Sequence, residues 1–329
     1  MRGRIPPHKA FPRERSCFNE MADNFSAVLQ GLYPDPDIPF PLYMFDVAVN
    51  VVFSIIAIIG NSLIIAALRR IPLTQVHTVL KAFLFNLALA DLSVGLVVQP
   101  LYISSVLTAT FGHQNVSRIL GTAFYLTNWC LPSVSISFLT AIAVDRFLAL
   151  YLRVRYRYVV TLKKVTAALV ALWIYTCAGA LLIVFNNTVY NILANFSLAV
   201  CLALTSFCYL KIYLTLRRHN NCVRFPLQAA NISCQKELAS RKNFNFMRYK
   251  RSVWNMLYVY GAFILCSLPL FCILVVIHVR GLDRTTKLCR FFAATLIFIN
   301  CSLNPLLYCW KIREIRLVVL GLLSNIFCK

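Results

Sequence analysis

This sequence predicts an all-α membrane protein: a seven-transmembrane helix bundle followed by a short amphipathic eighth helix. Composition is the first observation behind that fold class. Of 329 residues, 60% are hydrophobic and 13% charged, and the mean hydropathy is +0.71; an average soluble domain carries about 25% charged residues. The second observation is length: a helical bilayer span needs about 20 mostly apolar residues, and seven stretches qualify. The third is the placement of charge. The chain carries a net +22, with 33 Lys and Arg against 11 Asp and Glu, and the basic residues sit mainly in alternate connectors between the apolar runs.

The spans fall near 43–69, 78–106, 117–150, 163–186, 189–216, 250–279 and 288–310. They divide the chain into an N-terminal tail (1–42), a seven-span domain (43–310) and a C-terminal segment (311–329). The fourth and fifth stretches nearly merge, and a turn at Asn186-Asn187 separates them, because one unbroken helix of that length would overshoot any bilayer. The first connector carries Arg69 and Arg70, the third Arg153, Arg155, Arg157, Lys163 and Lys164, and the fifth is strongly basic from Arg217 to Arg251. By the positive-inside rule these face the cytoplasm, so the N-terminus is expected outside a multi-pass plasma-membrane protein. The sixth connector, with Arg280, Arg284, Lys287 and Arg290, is the exception. Residues 1–42 lack the apolar core of a signal peptide, so the first span is expected to serve as the targeting signal.

Basic residues spread between apolar runs suit topology and contact with anionic lipid headgroups, and give nucleic acid no single patch to bind. The 13 cysteines contain no Cys-x-x-Cys pair and no His/Cys cluster, so no structural metal centre is expected. Cys17 and Cys289 alone fall where an oxidising compartment reaches them, and they are a candidate disulfide pair. Sequons at Asn24-Phe25-Ser26 and Asn115-Val116-Ser117 lie on the outer side and are candidate glycosylation sites. Lys311 to Leu323 reads as an amphipathic helix on the inner surface, and Cys328 is a candidate for palmitoylation.

Polar residues inside the spans carry the functional argument. Asp91 is read as the only acid deep inside an apolar span, and a carboxylate there costs at least about 2.5–3.5 kcal/mol on insertion scales. Asn86 accompanies it in the second span, Asn61, Asn128, Ser133, Ser135, Asn300, Ser302 and Asn304 recur in other spans, and Asp145-Arg146-Phe147 closes the third. Taken singly, each has a bland reading as interhelical glue or as an interfacial anchor. Jointly, in this order over seven spans, they do not.

The set resembles the rhodopsin-like G-protein-coupled receptors over residues 43–323. The carriers are Gly60-Asn61, Leu87-Ala88-Leu89-Ala90-Asp91, Asp145-Arg146-Phe147, Trp173, Tyr209, Phe263 with Pro269, and Asn304-Pro305-x-x-Tyr308. The resemblance implies several roles. Asp91, Ser135, Asn300 and Asn304 would form an allosteric sodium pocket, with no other cofactor and no other metal. Asp145 would hold Arg146 in the resting state, and on activation Arg146 would swing toward Tyr209 and Tyr308. Phe147, Val154, Asn304 and Pro305 belong to the same coupling and switch region facing a heterotrimeric G protein. Pro269 and Pro305 remove backbone hydrogen bonds, letting the sixth and seventh helices bend.

The chain also departs from that pattern. Gly121 stands where a cysteine is usual, the second outer loop is almost absent, Cys201 replaces a proline, and Ser267 replaces a bulky Trp. The short loop and missing disulfide resemble the melanocortin receptors, but Leu101, Gly121 and Tyr125 replace their acidic ligand-binding residues. Asn128 stands where an amine receptor carries Asp, Phe298 where an opsin carries Lys, and Leu274 where an adenosine receptor carries Asn.

The expected ligand pocket comprises Tyr102, Asn128, Trp129, Pro132, Ser267, Phe271, Leu274, Arg290 and Ala294, with His278, Arg280, Lys287 and Arg290 at a basic rim. Such a pocket suits an anionic or lipid-like extracellular ligand, and Ser267 is expected to widen its floor. Loss of an acidic partner for Arg146 near Arg248-Tyr249-Lys250-Arg251 implies raised basal activity. Two other classes compete: a non-signalling, receptor-like heteromer partner, and an ion transporter or channel. The retained Arg146 and Tyr308 count against the first. Lack of a second acidic residue along a pathway counts against the second. No Ser/His/Asp set, metal spacing or phosphate loop suggests an enzyme.

Overall fold

The computed structural model describes residues 39–72, 78–152, 155–185, 187–224 and 258–327. Among these, seven helices are long and apolar enough to cross a membrane: α1 (Phe40–Arg70), α2 (Thr78–Thr110), α3 (Gln114–Leu152), α4 (Leu162–Phe185), α5 (Asn187–Arg224), α6 (Tyr258–Arg280) and α7 (Arg284–Lys311). An eighth, α8 (Arg313–Phe327), follows, and a one-turn helix, Tyr156–Val159, lies between α3 and α4. The expected spans 78–106 and 189–216 extend to Thr110 and Arg224, and α4 stops at Phe185 with α5 starting at Asn187. The stretch 250–257 and Val154, Cys328, Cys17 and Asn24 lie outside the described residues.

Local chemistry accounts for the helix ends. α1 starts with proline in its first turn, where a missing N–H leaves nothing unpaired, and finishes on Arg69 and Arg70 at the negative end of the helix dipole. The chain reverses between α6 and α7 at Gly281, whose φ of 87° favours a residue without Cβ. Asp283 then caps α7: its carboxylate accepts from the Thr286 N–H at 2.8 Å, and Thr286 Oγ1 accepts from the Asp283 N–H at 2.8 Å. This reciprocal box starts α7 at Arg284, ahead of the expected 288.

Inside α2 one turn widens to a π-helix over Val94–Val98. Pro100 has no N–H to donate, and its ring crowds the carbonyl of Leu96, so the turn cannot stay α-helical. The bulge turns the Gly95 carbonyl toward α1, where Ser54 Oγ donates to it at 2.9 Å. α1 approaches α7 just as closely: a Cβ on Gly60 would lie 2.9 Å from Pro305 Cβ.

Two apolar clusters fill the bundle. The larger joins Ile64, Leu87, Phe138, Ile212, Phe263 and Tyr308 with Ile315, Val319 and Leu322 of α8. Those three α8 residues share one stripe, which seats the helix while Arg313 and Arg316 stay exposed. The smaller cluster, toward the outer end, packs Tyr43, Val98, Tyr102, Phe124 and Phe298. Large side chains such as Ile59, Leu181, Leu265 and Val279 stay on the outside of the bundle, the arrangement a lipid surround requires.

Candidate functional site

At the outer end the helices enclose a cavity of about 220 Å³. Tyr102, Asn128, Trp129, Pro132, Leu274, Arg290 and Ala294 line it, as the sequence led us to expect. Ser267 and Phe271 do not. Leu270 and Leu274, one turn apart on α6, face the cavity, while Ser267 is fully buried and Phe271 packs on the larger core cluster. Ser267 therefore does not enlarge the cavity floor: it shares the helical face of Leu270 and Leu274 but lies deeper in the bundle, fully buried and closed off from the cavity. Lys287 and Arg290 line the cavity, whereas His278 and Arg280 are exposed outside it.

Sequence reasoning missed Tyr190. With α5 beginning immediately after α4, its first turns reach the cavity, and Tyr190 packs against Trp129 at 4.7 Å and Tyr125 at 6.0 Å between ring centroids. The near-absent loop was the available signal. Asn115 is exposed in the first turn of α3, while the hydroxyl of its sequon partner Ser117 is turned inward onto the Ser105 carbonyl at 3.0 Å. Cys289, on α7, is exposed and has no disulfide partner among the described residues, which do not include Cys17.

Midway down the bundle Asp91 is fully buried. Ser135 Oγ donates to its Oδ1 at 2.6 Å and Asn304 Nδ2 to its Oδ2 at 2.8 Å. Asn300 is buried close by in sequence but makes no hydrogen bond to the carboxylate among the described residues. Asn304 Oδ1 is buried without a donor, and no cationic side chain pairs with Asp91 among the described residues. A carboxylate beside a spare amide oxygen is a donor set that fits a hard monovalent cation.

At the inner end Arg146 pairs with its neighbour Asp145, Nε reaching Oδ2 at 3.0 Å and a second guanidinium nitrogen sharing that oxygen. Tyr156, from the one-turn helix, donates to the other carboxylate oxygen at 2.5 Å. Sequence reasoning did not single out Tyr156, because nothing in the spacing of a basic connector marks one of its tyrosines as buried. Tyr209 is buried against Tyr260, ring centroids 4.8 Å apart, and Tyr308 is buried with its hydroxyl unpartnered. Phe147 stacks on Tyr151 and meets Phe207 of α5 edge-on. Pro305 sits inside α7, where it packs against Gly60.

A third buried carboxylate joins Asp91 and Asp145 among the described residues. Asp46, in α1, is 1% exposed, so Asp91 is not the only acid inside a span. The sequence shows Asp46 within the first apolar stretch. Sequence reasoning did not single it out, because its burial depends on α2 and α7 closing over it.

The family model for the 7 transmembrane receptor (rhodopsin family) matches residues 60–201 and 183–308. The sheep (Ovis aries) adenosine receptor A3 is 27% identical over 296 residues, covering 82% of this chain and 86% of that receptor. The human melanocortin receptor 3 is 27% identical over 278 residues, covering 80% of each. The alpha-1A adrenergic receptor of Oryzias latipes is 21% identical, covering 83% of this chain and 65% of that receptor. With seven membrane-spanning helices and this match, the protein is a multi-pass plasma-membrane protein. The chain belongs to the rhodopsin family of seven-transmembrane receptors and is a G-protein-coupled receptor.

Proposed function

We propose that this receptor carries an outer, ligand-filled state of its cavity to an inner, Arg146-centred surface that engages a heterotrimeric G protein, with its N-terminus outside the cell. The observation that carries this reading is the Asp145–Arg146–Tyr156 cluster at the inner end of α3. Its charge pair holds the guanidinium sideways along the helix. Once the pair opens, Arg146 can reach the inner opening, where the Tyr308 hydroxyl has no partner among the described residues. That is a two-arrangement element of the kind a switch requires.

The ligand class we favour is small and anionic. Lys287 and Arg290 line the cavity and, among the described residues, no acidic side chain does, so a carboxylate or phosphate entering from outside would meet cations. A second reading is a nucleoside, favoured by relatives named as adenosine receptors and by the amide of Asn128 on the cavity wall. Leu274 supplies no hydrogen bond where such a receptor would carry Asn. At Asp91 a sodium ion would supply the positive charge the carboxylate lacks. Ser135 and Asn304 orient that carboxylate, and Asn304 Oδ1 adds a further oxygen.

Ligand-free activation across G-protein classes, for wild type and Arg146→Ala at matched surface levels, tests the coupling reading. A wild-type signal lost in the variant is the expected outcome. If the variant signals as well as wild type, coupling does not run through Arg146.

A further inference from the structure

Asp46 lies at the seventh position of α1, about 9 Å below its outer end at 1.5 Å per residue. Its Oδ1 accepts from Thr295 Oγ1 of α7 at 2.7 Å. Its Oδ2 accepts from the Tyr102 hydroxyl of α2 at 2.6 Å and from Asn50 Nδ2 at 3.0 Å. The same Asn50 nitrogen also points at the Asp46 carbonyl at 2.9 Å and at Thr295 Oγ1 at 3.0 Å. Gln99 of α2 adds its amide nitrogen to the Asn50 carbonyl at 3.4 Å.

Two facts about this cluster set the chemistry it offers. No cationic side chain pairs with Asp46 among the described residues, although an ionised carboxylate in such a place is costly without one. Asn50 and Gln99 are both fully buried, and their side-chain oxygens, Oδ1 and Oε1, have no donor among the described residues. Turning the Asn50 amide over would set its oxygen against three acceptors, so its nitrogen is held where it is and its oxygen left over. The surplus is all acceptor and all oxygen. The same signature marks Asp91, where Asn304 Oδ1 is the leftover atom.

We propose that Asp46, with the side-chain oxygens of Asn50 and Gln99, forms a second sodium site near the outer end of the α1–α2–α7 seam, separate from the pocket at Asp91. Along α2 the residue that touches Asp46, Tyr102, lies 11 positions beyond Asp91, about 16 Å outward at 1.5 Å per residue. One carboxylate with neutral amide oxygens suits a monovalent hard cation, whereas calcium sites draw on more carboxylates and magnesium keeps several waters. Tyr102 stands on both sides of the question, bonding Asp46 and lining the ligand cavity. An ion here neutralises the carboxylate that positions the Tyr102 ring, so sodium and a cavity ligand are coupled through one side chain.

The test is thermal unfolding of the purified full-length receptor in nanodiscs, titrated with sodium chloride against N-methylglucamine chloride at constant ionic strength. An ion that binds only the folded state raises Tm with concentration. The sodium-dependent rise should be present in wild type, reduced in both Asp46→Asn and Asp91→Asn, and absent in the double variant. Gln99→Leu, which keeps the carboxylate, should need several-fold more sodium for half the rise; it also serves if Asp46→Asn does not fold. A full loss of the rise in Asp91→Asn alone, a wild-type rise and midpoint in Asp46→Asn or in Gln99→Leu, or no sodium effect in wild type overturns the proposal. None of these outcomes bears on whether Arg146 couples to a G protein.

Discussion

Tyr156 has a larger part at the resting switch than its place in a basic connector suggests. Its hydroxyl gives Asp145 a second partner, which leaves the carboxylate's other oxygen to the guanidinium. A hydrogen bond to a charged group contributes about 1.5–3 kcal/mol. Tyr156→Phe is therefore expected to raise ligand-free signalling without changing surface level, read as second-messenger output per receptor. An unchanged basal signal would mean that Tyr156 only packs. Asp145→Asn should raise it further, since it weakens the hold on Arg146 itself. Asp145, Arg146 and Tyr308 were legible as residues from their motifs. Tyr156 was not, because its contact with Asp145 spans 11 positions and depends on how the connector folds back.

Helices meet at glycine and end at caps, and both features can be tested as elements. Gly60 lets α1 lie against Pro305 of α7 with no room for a Cβ. Gly60→Val should force the two helices apart and cost about 1–3 kcal/mol, seen as a lower Tm; an unchanged Tm would show that the seam yields. The α7 cap has a pH signature. Hydrogen bonds from Thr286 hold the Asp283 carboxyl below its ordinary value. A lowered value in the fold means the cap contributes fully above the ordinary carboxylate pKa and is lost as pH falls through the lowered one. Amide-exchange protection at 284–287 should accordingly fall in acid, and Asp283→Ala should show the same loss at neutral pH. Protection that does not respond to either change would place the stability of this turn elsewhere. The cap is readable in the sequence as Asp283 followed by Thr286. The π-turn of α2 is readable only as a proline, Pro100, with no sign of how the strain would be absorbed.

Among the described residues charge divides by depth: cations line the outer cavity, carboxylates without a cationic partner lie further in (Asp46 between α1, α2 and α7, and Asp91 between α2, α3 and α7), and the one ion pair closes the inner end. Reversing Lys287 and Arg290 to Glu together should abolish the response to an anionic ligand while leaving ligand-free signalling intact. A response that survives both reversals would favour the nucleoside reading.

The fold class was fully legible, since apolar length and the alternation of basic connectors follow from what a bilayer accepts. The individual motif residues were legible too, because a polar group inside hydrocarbon stands out against its neighbours. The partners of those groups were not. Asp46 with Tyr102 and Thr295, Asp145 with Tyr156, and Tyr190 over Trp129 each join residues from different helices. Ser267 and Phe271 share the helical face of the cavity-lining Leu270 and Leu274, yet Ser267 is fully buried and Phe271 packs on the larger core. Periodicity along one helix says which residues share a stripe. Which neighbour that stripe meets is set by how seven helices pack together, and that packing is a property of the assembled bundle.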